Sequence, residues 1–346
     1  MTADQERRDS QESAGSGIGE TSSTHRAGFV GLVGKPNVGK STILNTLLGR
    51  KISIVSPRPQ TTRHRILGIL TRPQAQVIFV DSPGWHKPLH PFGRYLIAVA
   101  KGVCEEVDVI VTVIDATSGV TREDEWVFEY VQRTQRPAIL AINKTDAVKK
   151  PLILPLIERC AGLKLFEEHI PISAMTGENM DVLLAQLIAR LPEGPRWYEA
   201  DQVTDQTTGQ VIREFIREAI LLATRQEVPH AVAVLLDEVT SADPPASRCS
   251  LPAPKAAGQA GAHASPLTRI RATILVEREG QKAIVIGKQG RMLKQIGTAC
   301  RVELERWLGQ RVFLELWVKV AKDWRKNPAM LRELGYQHSE TFHAPS

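Results

Sequence analysis

The sequence predicts two domains in tandem: an α/β domain with a mostly parallel sheet and helices on both faces, then a smaller α+β domain. Three observations predict it. From Phe29 onward, short apolar runs alternate with amphipathic stretches, the pattern of parallel strands buried on both faces. LPEGPRW at 191–197 then breaks that pattern with Pro and Gly. Beyond the break the order becomes helix, two strands, two helices and a strand, and 346 residues suit about two domains.

The first domain, 27–195, has its strands in FVGLVG (29–34), QVIFVD (76–81), VDVIVTVID (107–115), AILAIN (138–143) and HIPISA (169–174). Each is a short apolar run closed by turn residues. Helices fall between several of them, as at 41–48, which Gly49 stops, and at 123–132. The second domain, 196–336, opens on an amphipathic helix at 209–224 and a strand AVAVLLDEV at 231–239. It resumes with IRATILVER (270–278), the turn EGQ, a helix containing IGKQG, a longer helix to Leu308 and the alternating strand RVFLELWVKV (311–320). Residues 1–26 are polar and expected to be a disordered tail, and 337–346 a second tail. Residues 240–268, rich in Ala, Pro, Ser and Gly, read as a flexible low-complexity insert in the hairpin.

Hydrophobic residues make up 42% and charged residues 24%, as in a soluble globular protein. No apolar run reaches the roughly 18 residues that span a bilayer, and residues 1–24 hold no apolar core of a secretory signal. Cys104, Cys160, Cys249 and Cys300 are far apart with no C-x-x-C pair, so neither a disulfide framework nor a zinc site is expected. Charge is uneven. Residues 269–336 carry 15 Lys/Arg against 7 Asp/Glu, an excess larger than the whole chain's net +6. Such a block is the footprint of a polyanion-binding domain, though a solvated helix face has the same composition.

GKPNVGKS (34–41) fits G-x-x-x-x-G-K-[ST] between an apolar strand and a helix. Gly34 and Gly39 let the backbone through Lys35, Pro36, Asn37 and Val38 wrap so that its N–H groups face phosphate oxygens. Lys40 supplies a cation to the β- and γ-phosphates, Ser41 a hydroxyl to Mg²⁺, and the helix N-terminus its dipole. DSPG (81–84) closes another strand, with Asp81 placed for Mg²⁺ and the Gly84 N–H for the γ-phosphate; Ser82, Pro83 and Trp85 complete that turn. NKTD (143–146) selects the base. The Asp146 carboxylate can accept from guanine N1–H and N2–H, a pattern adenine lacks, while Asn143, Lys144 and Thr145 shape the loop beneath it. ISAMTG (172–177) adds Ser173 and the Ala174 N–H, aimed at guanine O6. Each piece alone is weak; four in this order at strand ends are strong.

Between the first two motifs, RPQTTRHR (58–65) offers Thr61 and Thr62 as the mobile threonine that reaches Mg²⁺ in the GTP state, Thr62 being preferred. Candidate metal ligands are thus Ser41, Thr62 and Asp81, and candidate catalytic groups Lys40, Thr62, Gly84 and Asn37. Trp85 stands where a water-positioning Gln would be, and an indole has no acceptor, so slow unassisted hydrolysis is expected. Asn37 either shapes the loop or helps hold a monovalent cation such as K⁺. In the second domain GKQG (287–290) joins two helices. Gly287 and Gly290 allow a nucleic-acid backbone to come close, and Lys288 and Arg291, with Gln289 between them, face its phosphates. Trp307, Trp317 and Trp324 read as packing residues, and Lys319, Lys322, Arg325 and Lys326 as phosphate contacts or a solvated face.

The four strand-end motifs resemble the translation-factor-related P-loop GTPases over about 28–190, and the αββααβ unit with GKQG resembles a type II KH domain. The pair, with QTTRHR between the first two motifs, resembles the bacterial Era family of GTPases over about 28–336. Ser82 replaces the family's usual Thr, and Trp85 a smaller aliphatic residue. The resemblance implies GTP and GDP with Mg²⁺ as ligands, and binding of single-stranded RNA near the 3′ end of 16S ribosomal RNA. It also implies a role in assembly of the small (30S) ribosomal subunit, a cytoplasmic monomer, and peripheral contact with the inner face of the cell membrane. Two alternatives share the motifs: a non-enzymatic RNA-binding module with GTP as a structural ligand, and a different ribosome-associated GTPase.

Overall fold

The computed structural model describes residues 25–58, 60–87, 91–224, 228–240 and 267–336. The expected tails and insert lie outside the described residues, except at their edges. Arg26 opens a strand, Thr240 is paired with Arg269, and Leu267 and Thr268 are paired with Arg311 and Val312 rather than loose.

The first domain runs β1 (Arg26–Val33), α1 (Lys40–Leu48), β2 (Ile66–Arg72), β3 (Ala75–Asp81), α2 (Pro91–Glu106), β4 (Val109–Asp115), α3 (Arg122–Thr134), β5 (Ala138–Asn143), α4 (Ile153–Ala161), β6 (Glu168–Pro171) and α5 (Met180–Arg190). Its sheet has the order β2-β3-β1-β4-β5-β6, all parallel except β2. Alternate residues of each strand serve opposite faces. Val30 and Leu32 join Ile43, Leu44, Leu183 and Leu187 beneath α1 and α5, whereas Phe29 and Val33 join Val103, Val127, Phe128 and Cys160 beneath α2, α3 and α4. Both faces being covered, the strands read as continuous apolar runs. The antiparallel edge strand β2 was not among the expected strands. The strand expected over 169–174 ends at Pro171, because the chain turns away as Ser173 N–H donates to Glu178 O (3.1 Å).

The second domain runs α6 (Thr208–Ala223), α7 (Val228–Ala231), β7 (Ala233–Thr240), β8 (Leu267–Val276), α8 (Glu279–Ile286), α9 (Arg291–Leu308), β9 (Arg311–Val320) and α10 (Pro328–Glu333). β7 is antiparallel to β8, and β8 parallel to β9. The sequence EGQ is not a turn but the first turn of α8: the Gln281 carboxamide oxygen accepts from the N–H groups of Glu277 (2.9 Å) and Arg278 (3.1 Å) and caps the helix. GKQG therefore follows α8 instead of lying within it. Helices α6 and α9 pack on one face of this sheet. Trp324 is fully buried, but Trp317, expected inside, is 59% exposed, because the odd positions of β9 face away from the helices.

The boundary expected at 195 falls in a segment still fastened to the first sheet. The Trp197 and Tyr198 N–H groups donate to Gln76 Oε1 (2.8 and 2.9 Å), Ile69 N–H to Val203 O (2.9 Å), and Thr204 Oγ1 to Leu67 O (2.6 Å). The two domains also share an apolar cluster: Phe92, Tyr95 and Leu96 of α2 pack with Ala233, Leu275, Trp324, Leu334 and Tyr336. No helix among the described residues is long and apolar enough to cross a membrane.

Candidate nucleotide site and RNA groove

The C-terminal ends of β1, β3, β4 and β5 lie side by side, so Gly34, Asp81, Asp115 and Asn143 share one edge of the sheet. Between β1 and α1 the chain passes through Asn37 (φ 64°) and Gly39 (φ 102°), which together wind the loop about the start of the helix. A Cβ on Gly39 would sit 2.2 Å from Asn143 Nδ2, so glycine is required there for closeness as well as for backbone angle. Lys40 is buried and folds back onto the loop, donating to the carbonyls of Gly34 and Lys35 (both 3.0 Å). Burial lowers its ammonium to about 8, against the raising influence of Asp81 and Asp124.

Ser41, Thr62 and Asp81 come together from three separate segments. Ser41 Oγ donates to Asp81 Oδ2 (2.6 Å) and lies 3.0 Å from Thr62 Oγ1, and Thr62 Oγ1 is 3.5 Å from the same carboxylate oxygen. Ser53, not singled out from sequence, adds a fourth oxygen at 2.9 Å. Asp81 Oδ1 is buried without a hydrogen-bond partner, and burial raises the carboxyl above its ordinary range despite Lys40 and the three hydroxyls. A buried carboxylate oxygen left open among hydroxyls fits a hard cation that keeps its waters, which is how Mg²⁺ is bound. Thr61 points elsewhere, donating through Oγ1 to Arg58 O (2.6 Å).

Several expected phosphate and base contacts are engaged within the protein. The Lys35 ammonium pairs with Asp124 (2.8 Å), Ser118 and Thr121, which leaves its backbone for a ligand. Trp85 is buried and packs its indole on Tyr130 (5.1 Å between rings), so the side chain lies in the core instead of at the phosphates, while its backbone N–H donates to Gly34 O (3.0 Å). Ser82 Oγ donates to Leu32 O (2.7 Å), fixing the turn through Pro83. At Gly84 a Cβ would meet the Pro36 backbone at 2.7 Å, so the two loops approach more closely than a side chain there would allow. Two residues on, His86 Nε2 meets Gln60 Nε2 at 3.1 Å. Asn37 is exposed, and its Nδ2 donates to Pro57 O (2.9 Å).

At the base end, Asn143 bridges two loops. Its Nδ2 donates to Val38 O (2.8 Å), and its Oδ1 accepts from Ala174 N–H (3.0 Å). That N–H was expected to reach guanine O6; here the bridge takes it. Lys144 pairs with Asp115 (2.6 Å), and Thr145 Oγ1 donates to Glu178 (3.2 Å). Asp146 is exposed and held by Ser173 Oγ, which donates to its Oδ1 (2.6 Å).

In the second domain Gly287 (φ 70°), Gln289 (φ 53°) and Gly290 (φ 74°) make a sharp link that leaves Lys288, Gln289 and Arg291 exposed. Beside it a groove of about 390 Å³ is floored by Leu293, Gly297, Leu314 and Leu316 and edged by Lys294 and Arg301. These floor residues were not foreseen, since they meet only when α9 lies on β9. Arg325 pairs with Glu277 and Lys326 with Asp323, so two expected phosphate contacts already have partners.

Fold and site together define a P-loop GTPase fused to a KH domain. Family models agree: one for 50S ribosome-binding GTPases matches residues 29–144, and one for KH domains matches 259–325. The GTPase Era of Staphylococcus haemolyticus (strain JCSC1435) is 41% identical over 312 residues, covering 90% of this chain and 97% of that protein. The chain belongs to the GTPase Era family, which sets aside the alternative of a different ribosome-associated GTPase. Two solved structures are similar over 90% of the chain and 99% of their own. They are Era in complex with MgGDPNP and nucleotides 1506–1542 of 16S ribosomal RNA (40% identity, TM-score 0.82) and a variant of Aquifex aeolicus Era bound to GDP·AlF4⁻ (39% identity, TM-score 0.81).

Proposed function

We propose that this GTPase is a switch whose output is binding of single-stranded RNA near the 3′ end of 16S ribosomal RNA, in assembly of the small ribosomal subunit. One observation carries the reading: the segment that brings Thr62 to Ser41 and Asp81 is also the segment the KH domain grips. Nucleotide state and RNA domain therefore act on the same residues. A family relative solved with both MgGDPNP and a segment of 16S ribosomal RNA supports it.

In this reading the loop from Gly34 to Gly39 binds the phosphates through its N–H groups, and Lys40 exchanges the Gly34 and Lys35 carbonyls for phosphate oxygens. Ser41, Thr62 and Asp81 hold Mg²⁺, which when bound neutralises charge on the β- and γ-oxygens. Thr62 and Gly84 register the γ-phosphate, and Asp146 reads the base. Asn37, whose Nδ2 is engaged with Pro57 O, has its Oδ1 as the group that helps place K⁺, so single-turnover hydrolysis is expected to be faster in K⁺ than in Na⁺. Equal rates would remove the cation from the mechanism. A cytoplasmic monomer with peripheral contact at the membrane's inner face completes the proposal on family resemblance.

RNA enters the groove beside GKQG, its backbone against Gly287 and Gly290 and its phosphates near Lys288 and Arg291. RNA affinity is measured with a GTP analogue and with GDP across a salt series; it is expected to be higher with the analogue. Lys288→Ala is expected to weaken binding severalfold and to reduce the slope of log affinity on log salt by about one-half to one. Identical affinities in the two nucleotide states would remove the switch, and an unchanged slope would remove GKQG from the interface.

A further inference from the structure

Residues 51–58 and 60–64 leave the nucleotide edge and return to it, and on the way they are held by the KH domain. Ile54 is fully buried in the second domain's core, with Phe215 and Ile216 of α6 and Cys300 of α9. Val55 N–H donates to Glu218 Oε1 (3.0 Å), Arg58 Nη2 to Thr224 O (3.3 Å), and Lys51 pairs with Glu218 (2.6 Å) and Glu303 (3.1 Å). The two neighbours of Thr62 are gripped as well. Arg63 donates to Val232 O (2.6 Å) and Tyr336 Oη (3.3 Å), with its guanidinium over the rings of Phe92 and Trp324. On the other side, Arg217 of α6 donates through Nη2 to the carbonyl of Thr61 and pairs with Glu214, one turn back along its own helix.

Arg217 is 2% exposed, and its Nη1 has no partner. A guanidinium this deep costs more than apolar residues would in simply joining two turns of a helix. The Glu214 pair could form without the first domain; the bond to Thr61 O could not. That bond fixes the peptide from which Thr62 turns its hydroxyl toward Ser41 and Asp81.

We propose that Arg217 is a positioning residue of the nucleotide site: by holding the Thr61 carbonyl from the RNA-binding domain, it sets Thr62 where Mg²⁺ needs it in the GTP state. The proposal rests on the reading of Ser41, Thr62 and Asp81 as the Mg²⁺ ligands. It makes the site's competence depend on how the KH domain is seated, with α6 as the contact.

Arg217→Met combined with Glu214→Gln removes both charges, so no uncompensated carboxylate stays buried. In the full-length protein, Mg²⁺ is titrated against binding of a fluorescent non-hydrolysable GTP analogue, with GDP affinity measured in parallel. The Mg²⁺ midpoint is expected to rise roughly tenfold, the scale of a hydrogen bond to a charged group, with GDP affinity little changed because GDP lacks the γ-phosphate that engages Thr62. Arg217→Lys keeps Glu214 neutralised but lacks the planar fork, and is expected to move the midpoint the same way by less. It decides the matter if the double variant no longer binds GDP and so has not folded. Folded variants with the wild-type midpoint would overturn the proposal. Thr62→Ala separates the two levels: an unchanged midpoint there overturns the Mg²⁺ reading and this proposal with it, whereas a raised midpoint beside unmoved Arg217 variants overturns Arg217 alone.

Discussion

Asp146→Asn is expected to weaken GTP binding a hundredfold or more and to turn base preference from guanine to xanthine. In its proposed role the carboxylate accepts from both N1–H and N2–H, and two hydrogen bonds to a charged group correspond to roughly 3–6 kcal/mol. Asparagine keeps one acceptor and presents an NH₂ group in place of the other. Ser173 Oγ donates to Oδ1, so the amide oxygen stays on that side and the NH₂ takes the place of Oδ2. Facing the guanine amino group it clashes donor against donor; facing the C2 carbonyl of xanthine it donates. Competition binding with GTP, XTP and ATP checks this. Unaltered GTP affinity would mean that the loop at 143–146 does not read the base.

Lys40→Met is expected to lower affinity for GTP and GDP by at least about a hundredfold, the scale of breaking a buried charge pair, without unfolding the protein. In the free protein the ammonium sits at about 8 rather than 10.5, because burial outweighs the attraction of Asp81 and Asp124. That difference is a destabilising contribution on the order of 3 kcal/mol. It is fully present below pH 8 and is relieved between pH 8 and 10.5, where the unfolded chain holds the proton and the folded one has lost it. Removing the amine therefore forfeits phosphate binding more than stability. In the proposed role of Lys40, bound phosphates keep it protonated, so binding above pH 8 is expected to take up a proton. Affinity is then expected to fall by up to about tenfold per pH unit above 8. Calorimetric titration in buffers of different ionisation heat measures the proton directly; no uptake at pH 9 would mean that Lys40 does not meet the phosphates.

The nucleotide edge was legible in sequence because its parts are local. GKPNVGKS, DSPG and NKTD each bring their own glycine, cap or carboxylate, and a parallel sheet aligns the strand ends that carry them. What was missed depends on contacts between distant residues. Ala174 N–H looks free in the sequence until Asn143 reaches it across 31 residues. The strand β2 was hidden because ILGILTR resembles any short apolar run, and its partner β3 decides its direction. Trp317 was misplaced because alternation along β9 tells which residues share a face but not which face the helices cover. The bond from Arg217 to Thr61, 156 residues apart, has no local signature at all.

The segment at 197–204 has a bearing on how the protein is divided. Leu67 and Ile69 belong to the outer strand of the first sheet, and their outward backbone groups are occupied by Thr204 and Val203. A GTPase fragment ending at residue 195 would bare that rim, and an uncovered strand edge is a template for pairing with another chain. Retaining the eleven residues to 206 keeps the rim closed. The stretch that joins the domains thus also serves as a guard against self-association, and solubility of the isolated GTPase half turns on those few residues.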